Sequence, residues 1–376
     1  MTPKQREKLM EFCRLAGDWY ANNQNTNAHP WGGVDNSADH GRFLYEYFPA
    51  TGKCRGNGVW GQAVAAMGLL ALAERLDWAG EAYREAAMGA AKYLLSLQIL
   101  DQRDERLFGA LREHTPQYDW IFPRDGATGC MGLCVLYRET KEEEYLHRAR
   151  LYADWYIRNA MNEDGWPCHT FRFEQREGEW REAGAWQAGA GLAFYHLYKL
   201  TGETRYLEEG LRPLMDGYKK LCAESGVADA VGTDDFAAIS AMGACLLYDD
   251  DELLGYIGRR ARSYLENQDA DGSCPGNAGA FQAGLTWQNF ARLADEKNLD
   301  VDLEPCRKAI AKAACFAPSI QERDPSDLRA YGGLYGQSTY SVSRTTIHHR
   351  STGYSLIFML RHEGGVEPAG YNVFGW

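Results

Sequence analysis

The stretch RDGATGCMGLCVLYRETKEEEYLHRARLYADWYIRNAM, residues 124–161, holds two helices of opposite character with almost nothing between them. The first runs from Ala127 to Tyr137 and, apart from Thr128 and Tyr137, is made of Gly, Ala, Cys, Met, Leu and Val. A helix that is small and apolar on most faces is surrounded by neighbours that approach it closely. The second starts near Glu142 and repeats Leu146, Ala149, Ala153, Tyr156 and Ile157 at helical spacing, with Arg and Glu opposite. It therefore has one buried face and one wet face. Thr140 with Glu143 reads as a capping box at its start, and Asp249 with Glu252 as another further on.

The same alternation runs along the whole chain. Buried-type segments are WGQAVAAMGLLALAE from Trp60, AWQAGAGLAFYHLY from Ala185, FAAISAMGACLLY from Phe236, FQAGLTWQNFARL from Phe281 and STGYSLIFML from Ser351. Amphipathic segments lie at 3–21, 80–97, 204–221, 250–267 and 303–316. No Pro- or Gly-rich linker separates two halves, so this pattern overrides the two-domain expectation from length. About six helical hairpins with buried partners close into a ring. The expectation is an all-α protein, a single (α/α)6 toroid over residues 1–376, with a small β-hairpin near 169–180.

The connections are asymmetric. Inner-to-outer links are short (LDWAG, RETKE, LTGE, YDDD), while outer-to-inner links span roughly 22–59, 98–126, 162–184, 223–235, 268–280 and 317–350. The long loops must share one rim, where the inner helices begin. Long loops in compact domains are functional as a rule, and converging helix N-termini favour an anion.

Composition narrows the class. The net charge is -12, which argues against a nucleic-acid partner. Mean hydropathy is -0.48, and no apolar run reaches the ~20 residues of a spanning helix. The start, MTPKQREKLMEF, has no apolar signal core, so the expected location is cytoplasmic. The 10 Cys form no CxxC and read as reduced, mostly buried thiols. Trp 11 and Tyr 22 supply flat aromatic faces of the kind on which sugar rings stack.

The long loops carry the chemistry. Trp31 and Asp39 lie on the first, with Asp35, His40 and Arg42 nearby; Tyr118, Trp120, Arg124 and Asp125 on the second; and His169 on the third, which ends at Trp186 and Gln187. The fourth ends in Asp234–Asp235, and the sixth carries Arg344, His348, His349 and Arg350. Gly129, Gly189, Gly284 and Gly353 each fall early in an inner helix, and four residues earlier stand Asp125, Ala185, Ala280 and His349. Asp235 takes the same place in its repeat. An Asp at a helix start is also a favoured N-cap, which is the competing structural reading for Asp125 and Asp235. His348 and His349 could be metal ligands, but adjacent helical residues point about 100° apart and seldom reach one ion. No metal and no cofactor is expected. Serine-hydrolase, zinc-protease, kinase and dehydrogenase motifs are absent from the sequence.

The run from Arg124 to Phe173, with AWQAGAGLAFYHLYKLTGE and GTDDFAAISAMGACLLY, resembles the unsaturated glucuronyl and rhamnogalacturonyl hydrolases, glycoside hydrolase families 88 and 105. The resemblance covers about half the chain. It implies an α-toroid and places Asp125 where those families hold a catalytic aspartate, the general acid/base that protonates an unsaturated uronic acid while water adds. The chain departs from the families at Val59-Trp60-Gly61-Gln62, where they carry a second aspartate. It departs again at Glu182-Ala183-Gly184-Ala185-Trp186, where they carry Trp-x-Arg-Gly.

The expected function is a glycoside hydrolase acting on uronic-acid-containing oligosaccharides. Asp125 and Asp235 are its candidate catalytic carboxyls, since hydrolysis of a saturated glycoside needs two. Asp39 and Asp35 are further candidates. Candidate substrate-binding residues are Trp31, Asp39, Tyr118, Trp120, Arg124, His169, Trp186, Gln187, Arg344, His348, His349 and Arg350. The expected partner is an anionic oligosaccharide, with no nucleic acid and no membrane, and the chain is expected as a monomer or homodimer. Two alternatives stand beside this reading. One is a sugar epimerase of the N-acylglucosamine 2-epimerase kind using His348 or His349 as base; the other is a non-catalytic carbohydrate-binding toroid.

Overall fold

The computed structural model describes residues 2–26, 39–114, 119–180, 184–226, 235–276, 278–337 and 342–363. Six inner helices pack in a closed ring: α2 (Val59–Leu76), α4 (Pro123–Thr140), α6 (Gly191–Thr201), α8 (Asp235–Leu247), α10 (Gly279–Lys297) and α12 (His349–Glu363), which returns to α2. Outside them lie α1 (Pro3–Asn23), α3 (Glu81–Ser96), α5 (Glu143–Trp155), α7 (Arg212–Ser225), α9 (Asp251–Glu266) and α11 (Glu304–Phe316). The (α/α)6 toroid expected from the alternation of helix types is the fold observed.

The composition of the inner helices explains the ring. In α2 every residue from Val59 to Ala73 is buried. The helical glycines mark where neighbours meet. A Cβ on Gly129 would lie 2.7 Å from Val59 Cγ2, and one on Gly284 would lie 2.5 Å from Phe358 Cε2. A larger residue at either place would push inner helices apart. The outer helices bury one face, as with Tyr145, Leu146, Ala149, Tyr152, Ala153 and Trp155 of α5. Cys54 is half-buried and Cys315 exposed, while the other cysteines are buried, and none is in a disulfide.

Two local expectations are corrected. Thr140 does not cap α5: it closes α4, and Glu142 is the N-cap, without a side-chain bond. Lys141 adopts the left-handed conformation, φ 61°, and ends α4 before a cap can form. At α9 the cap is Asp250, not Asp249, and its carboxylate accepts the Leu253 N–H at 2.9 Å.

The long connections do lie on the outer-to-inner side, but they hold more strand than expected. The 169–180 hairpin is present as β4 (Thr170–Arg172) and β5 (Glu177–Glu179), extended by β3 (Trp120–Ile121). A second sheet was not foreseen. It contains β1 (Leu44–Phe48), β2 (Lys53–Gly56), β6 (Tyr335–Gln337) and β7 (Val342–His348) in the order β2-β1-β7-β6. The pair Glu46↔His348 ties the first long loop to the last, so this part of the rim is fixed by backbone hydrogen bonds.

Candidate active site

The rim is built around the first turn of α4. Phe122 is the N-cap without a side-chain bond, and Pro123 fills the first helical position. Asp125 therefore does not cap the helix. Its carboxylate instead meets Arg124, with Nη1 3.1 Å from Oδ1. The Arg124 guanidinium lies 4.7 Å over the Phe236 ring, at the start of α8. Gly189 makes room for this contact, because a Cβ there would abut both Phe236 and Arg124 Nε. Arg124 Nε is buried and has no hydrogen-bond partner among the described residues.

Arg350, in the first turn of α12, completes a pair of guanidinium groups. Its Cζ stands 5.2 Å over the Trp60 ring, and its Nε is likewise buried and unpartnered. Burial lowers its proton affinity, but Tyr45, Tyr354 and Asp125 outweigh that, so the guanidinium stays charged. Trp60 also meets His349 and Tyr354 edge-on, with centroids 5.2 Å and 5.7 Å away.

The two adjacent histidines do different work. His348 ends β7. Its Nδ1 accepts the Arg350 backbone N–H at 3.0 Å, which leaves the proton on Nε2, 3.4 Å from Glu46 Oε1. The His348 hydrogen bond holds the Glu46 carboxyl below the usual range. His349 begins α12 and is fully buried, with Nδ1 2.6 Å from the Tyr20 hydroxyl. Burial pushes its pKa well below 6.5, so the ring is neutral. The Tyr20 hydroxyl shares one hydrogen bond with Nδ1 and also reaches the His349 carbonyl at 3.3 Å, while Nε2 has no hydrogen-bond partner among the described residues. The two rings do not converge on one point. Among the described residues no group of three His, Cys, Asp or Glu could hold a metal ion.

A second aromatic wall forms where the third loop meets α4. Trp120 lies 4.7 Å from Phe122, Phe122 lies 5.2 Å from His169, and His169 lies 5.5 Å from Trp186, each edge-on. His169 Nδ1 is 2.8 Å from Thr170 Oγ1.

Three expected substrate contacts are used by the protein itself. Gln187 is buried; its amide donates to the Pro167 carbonyl and accepts the Gly184 N–H. Asp39 pairs with Arg42 at 3.0 Å, and Arg42 in turn donates to the carbonyls of Gly56 and Asn57. Arg344 is exposed, donates to the Ser319 carbonyl and stacks on Tyr335. It stands four residues up β7 from His348, roughly 13 Å along the strand, too far to share an anion with Arg350. Trp31, Asp35, Tyr118 and Asp234 lie outside the described residues, as does the side chain of Asp235.

The sequence reading missed Glu113. Its carbonyl accepts the Val59 N–H at the start of α2, and its side chain lies within the field of Asp125. Burial pushes its carboxyl well above the usual range, Asp125 pushes it further, and the Phe122 amide, Arg124 and Arg42 pull back. Glu113 sits in the irregular loop before α4, where no periodicity marks an inward residue. Nothing in the sequence signalled it.

Comparison with known proteins shows the fold only. No protein-family model matches the chain, and no curated protein matches it. Among solved structures it is similar to cellobiose 2-epimerase from Bacillus thermoamylovorans, at 13% identity, covering 96% of this chain and 100% of that one, TM-score 0.69. It is similar to a family 76 α-mannanase of Bacteroides thetaiotaomicron, at 11% identity over 94% of each chain, TM-score 0.65. It is also similar to an inactive variant, with two adjacent aspartates changed to asparagine, of a Salegentibacter α-1,6-mannanase solved with α-1,6-mannotriose. That match has 12% identity, covers 96% of this chain and 100% of that one, and has a TM-score of 0.64.

Proposed function

We propose that this chain is a carbohydrate-active enzyme, a glycoside hydrolase that releases a terminal uronic acid residue from an oligosaccharide. The observation that carries this reading is the placing of Arg350 and Arg124 near Asp125, each with a buried Nε that has no hydrogen-bond partner among the described residues, with Arg350 over the Trp60 ring. Buried donors without acceptors are costly unless a ligand satisfies them. A sugar carboxylate supplies the acceptors and the charge, and the sugar ring supplies the face for Trp60.

In this reading Asp125 is the general acid/base. It gives its proton to the glycosidic oxygen, and the C1–O bond breaks with its electron pair going to that oxygen. Water then adds at C1 and passes a proton to a second carboxylate. Asp235 is the second carboxylate proposed; α8 begins at Asp235, and Phe236 lies under Arg124. Asp234–Asp235 is an adjacent aspartate pair, the kind of pair whose replacement made the Salegentibacter mannanase inactive. On an unsaturated uronide, Asp125 would instead protonate the ring double bond while water adds.

The test is a screen of chromogenic glucuronides, unsaturated uronyl disaccharides and neutral mannosides, with detection of released sugar. Turnover confined to uronides is expected. Turnover of neutral glycosides alone would sink the reading.

His349 supports a second reading, a sugar 2-epimerase. Its neutral ring is held by Tyr20, and its Nε2, buried beside Trp60 and without a hydrogen-bond partner among the described residues, would be the base in the tautomer that carries the proton on Nδ1. An epimerase exchanges the C2 hydrogen of a free sugar with solvent and releases no second sugar. Deuterium incorporation at C2 without cleavage would favour it.

A further inference from the structure

The backbone of His348, where β7 passes into α12, is pinned on both sides. Its N–H donates to the Leu334 carbonyl at 2.9 Å, and its carbonyl accepts the Thr352 hydroxyl at 3.0 Å. Across the ladder it pairs with Glu46 of β1. The backbone leaves open which way the imidazole ring turns.

Two contacts select one orientation. Nδ1 accepts the Arg350 N–H at 3.0 Å, and Nε2 lies 3.4 Å from Glu46 Oε1. Turned over about its Cβ–Cγ bond, the ring would set Cδ2 against that N–H and carry Nε2 away from the carboxylate. A carbon there would leave the N–H without its acceptor. The Glu46 carboxylate is itself held. Arg55 Nη1 lies 3.4 Å from its Oε2, the Arg55 guanidinium stands 5.5 Å over the Tyr45 ring, and Tyr45 meets the His348 ring edge-on at 4.7 Å. The Glu46 and His348 side chains are only 16% and 18% exposed. A chain of contacts therefore runs from Arg55 through Glu46 and His348 to the first turn of α12, where the Arg350 guanidinium lies over Trp60.

We propose that Glu46 and His348 are positioning residues that carry the fixed geometry of the β1–β7 ladder into the first turn of α12 and so set Arg350 for the substrate carboxylate. Neither touches the sugar, and neither makes or breaks a bond. His348 acts through the Arg350 backbone, and Glu46 acts by turning the His348 ring. A plain helix cap would need Nδ1 alone, and Glu46 would then be irrelevant to the substrate. The proposal rests on Arg350 as the reader of the acid in the proposed hydrolase, so the test has an arm that needs no substrate.

In the activity arm, KM for a chromogenic glucuronide is measured with the melting temperature alongside. Glu46→Ala should weaken the enzyme chiefly through KM, by roughly tenfold, because a misplaced guanidinium loses uniform binding. His348→Gln keeps a donor near Glu46 but offers nothing at the place of Nδ1, so its KM should rise likewise; it serves if Glu46→Ala does not fold. His348→Asn puts an amide oxygen at the place of Nδ1 and caps without help. Its KM should stay near that of the wild type, and adding Glu46→Ala to it should cost nothing further. A wild-type KM in folded Glu46→Ala or His348→Gln overturns the proposal. So does a His348→Asn protein as weak as His348→Gln, or an equal cost of Glu46→Ala in both backgrounds.

In the substrate-free arm, nitrogen-15 NMR reads the coupling across the N–H···N bond between the Arg350 amide and His348 Nδ1. It should be present in the wild type and lost in Glu46→Ala. Its absence from the wild type, or its persistence in Glu46→Ala, overturns the proposal. If the wild type does not cleave the glucuronide, the hydrolase reading fails, and this arm alone decides for Glu46 and His348.

Discussion

The Tyr20 hydroxyl lies 2.6 Å from Nδ1 of His349, joining the first helix of the chain to the first residue of the last. Both groups are buried, and burial holds the phenol protonated and the imidazole neutral. The bond therefore fixes the position of the histidine ring.

Tyr20→Phe removes that partner and leaves Nδ1 buried without one. The expected cost is about 1–3 kcal/mol, read as a lower urea midpoint at unchanged slope. A midpoint equal to that of the wild type would mean that this buried bond contributes nothing to stability.

His196, buried on α6, has its pKa pushed down to about 3, first by burial and then by Arg138. The unfolded chain holds its histidine near 6.5, so below that pH the unfolded state binds the extra proton first. Stability from this group is present above about pH 6.5 and is lost as pH falls toward about 3. His196→Gln should flatten the dependence of stability on pH in that window by roughly 1.4 kcal/mol per unit. Parallel wild-type and variant curves would rule the group out.

Asp125→Asn tests the general acid. Asp125 caps nothing, since Phe122 is the N-cap, so the melting temperature should stay near that of the wild type. Turnover should fall by about 10²–10⁴. A folded variant with full activity would remove Asp125 from the mechanism and move attention to Asp235.

Selectivity should reside in Arg350. A bidentate guanidinium–carboxylate contact contributes roughly 1.5–3 kcal/mol. Arg350→Ala should therefore cut kcat/KM on a glucuronide about tenfold or more relative to the matching glucoside, and Arg350→Lys should recover only part. Arg344→Ala is the control, because Arg344 engages Ser319 and Tyr335 elsewhere. Equal losses on both sugars would mean that Arg350 does not read the acid.

Exhaustive chelation should leave turnover unchanged, since the proposed steps use only carboxyl and guanidinium groups. Activity lost to a chelator and restored by one divalent ion would overturn that reading.

The sequence by itself determined the ring. A run such as residues 127–137 can be stable only if it is surrounded, and six such runs alternating with one-faced helices leave few other arrangements. That signal is local, because helical periodicity is written in consecutive residues. It also placed Asp125, Arg124, His349 and Arg350 on one rim. What only the tertiary structure decided depends on residues far apart in the chain. The pairing of Glu46 with His348 built a sheet from strands near opposite ends of the chain, which no local pattern links. Irregular loops carried Glu113 to Gly58, and the same rim tied Gln187 and Asp39 to internal partners while carrying Arg344 up β7. Periodicity shows which face of a helix turns inward. It does not show where a loop without a period sends a side chain, because long-range backbone pairing and burial fix that.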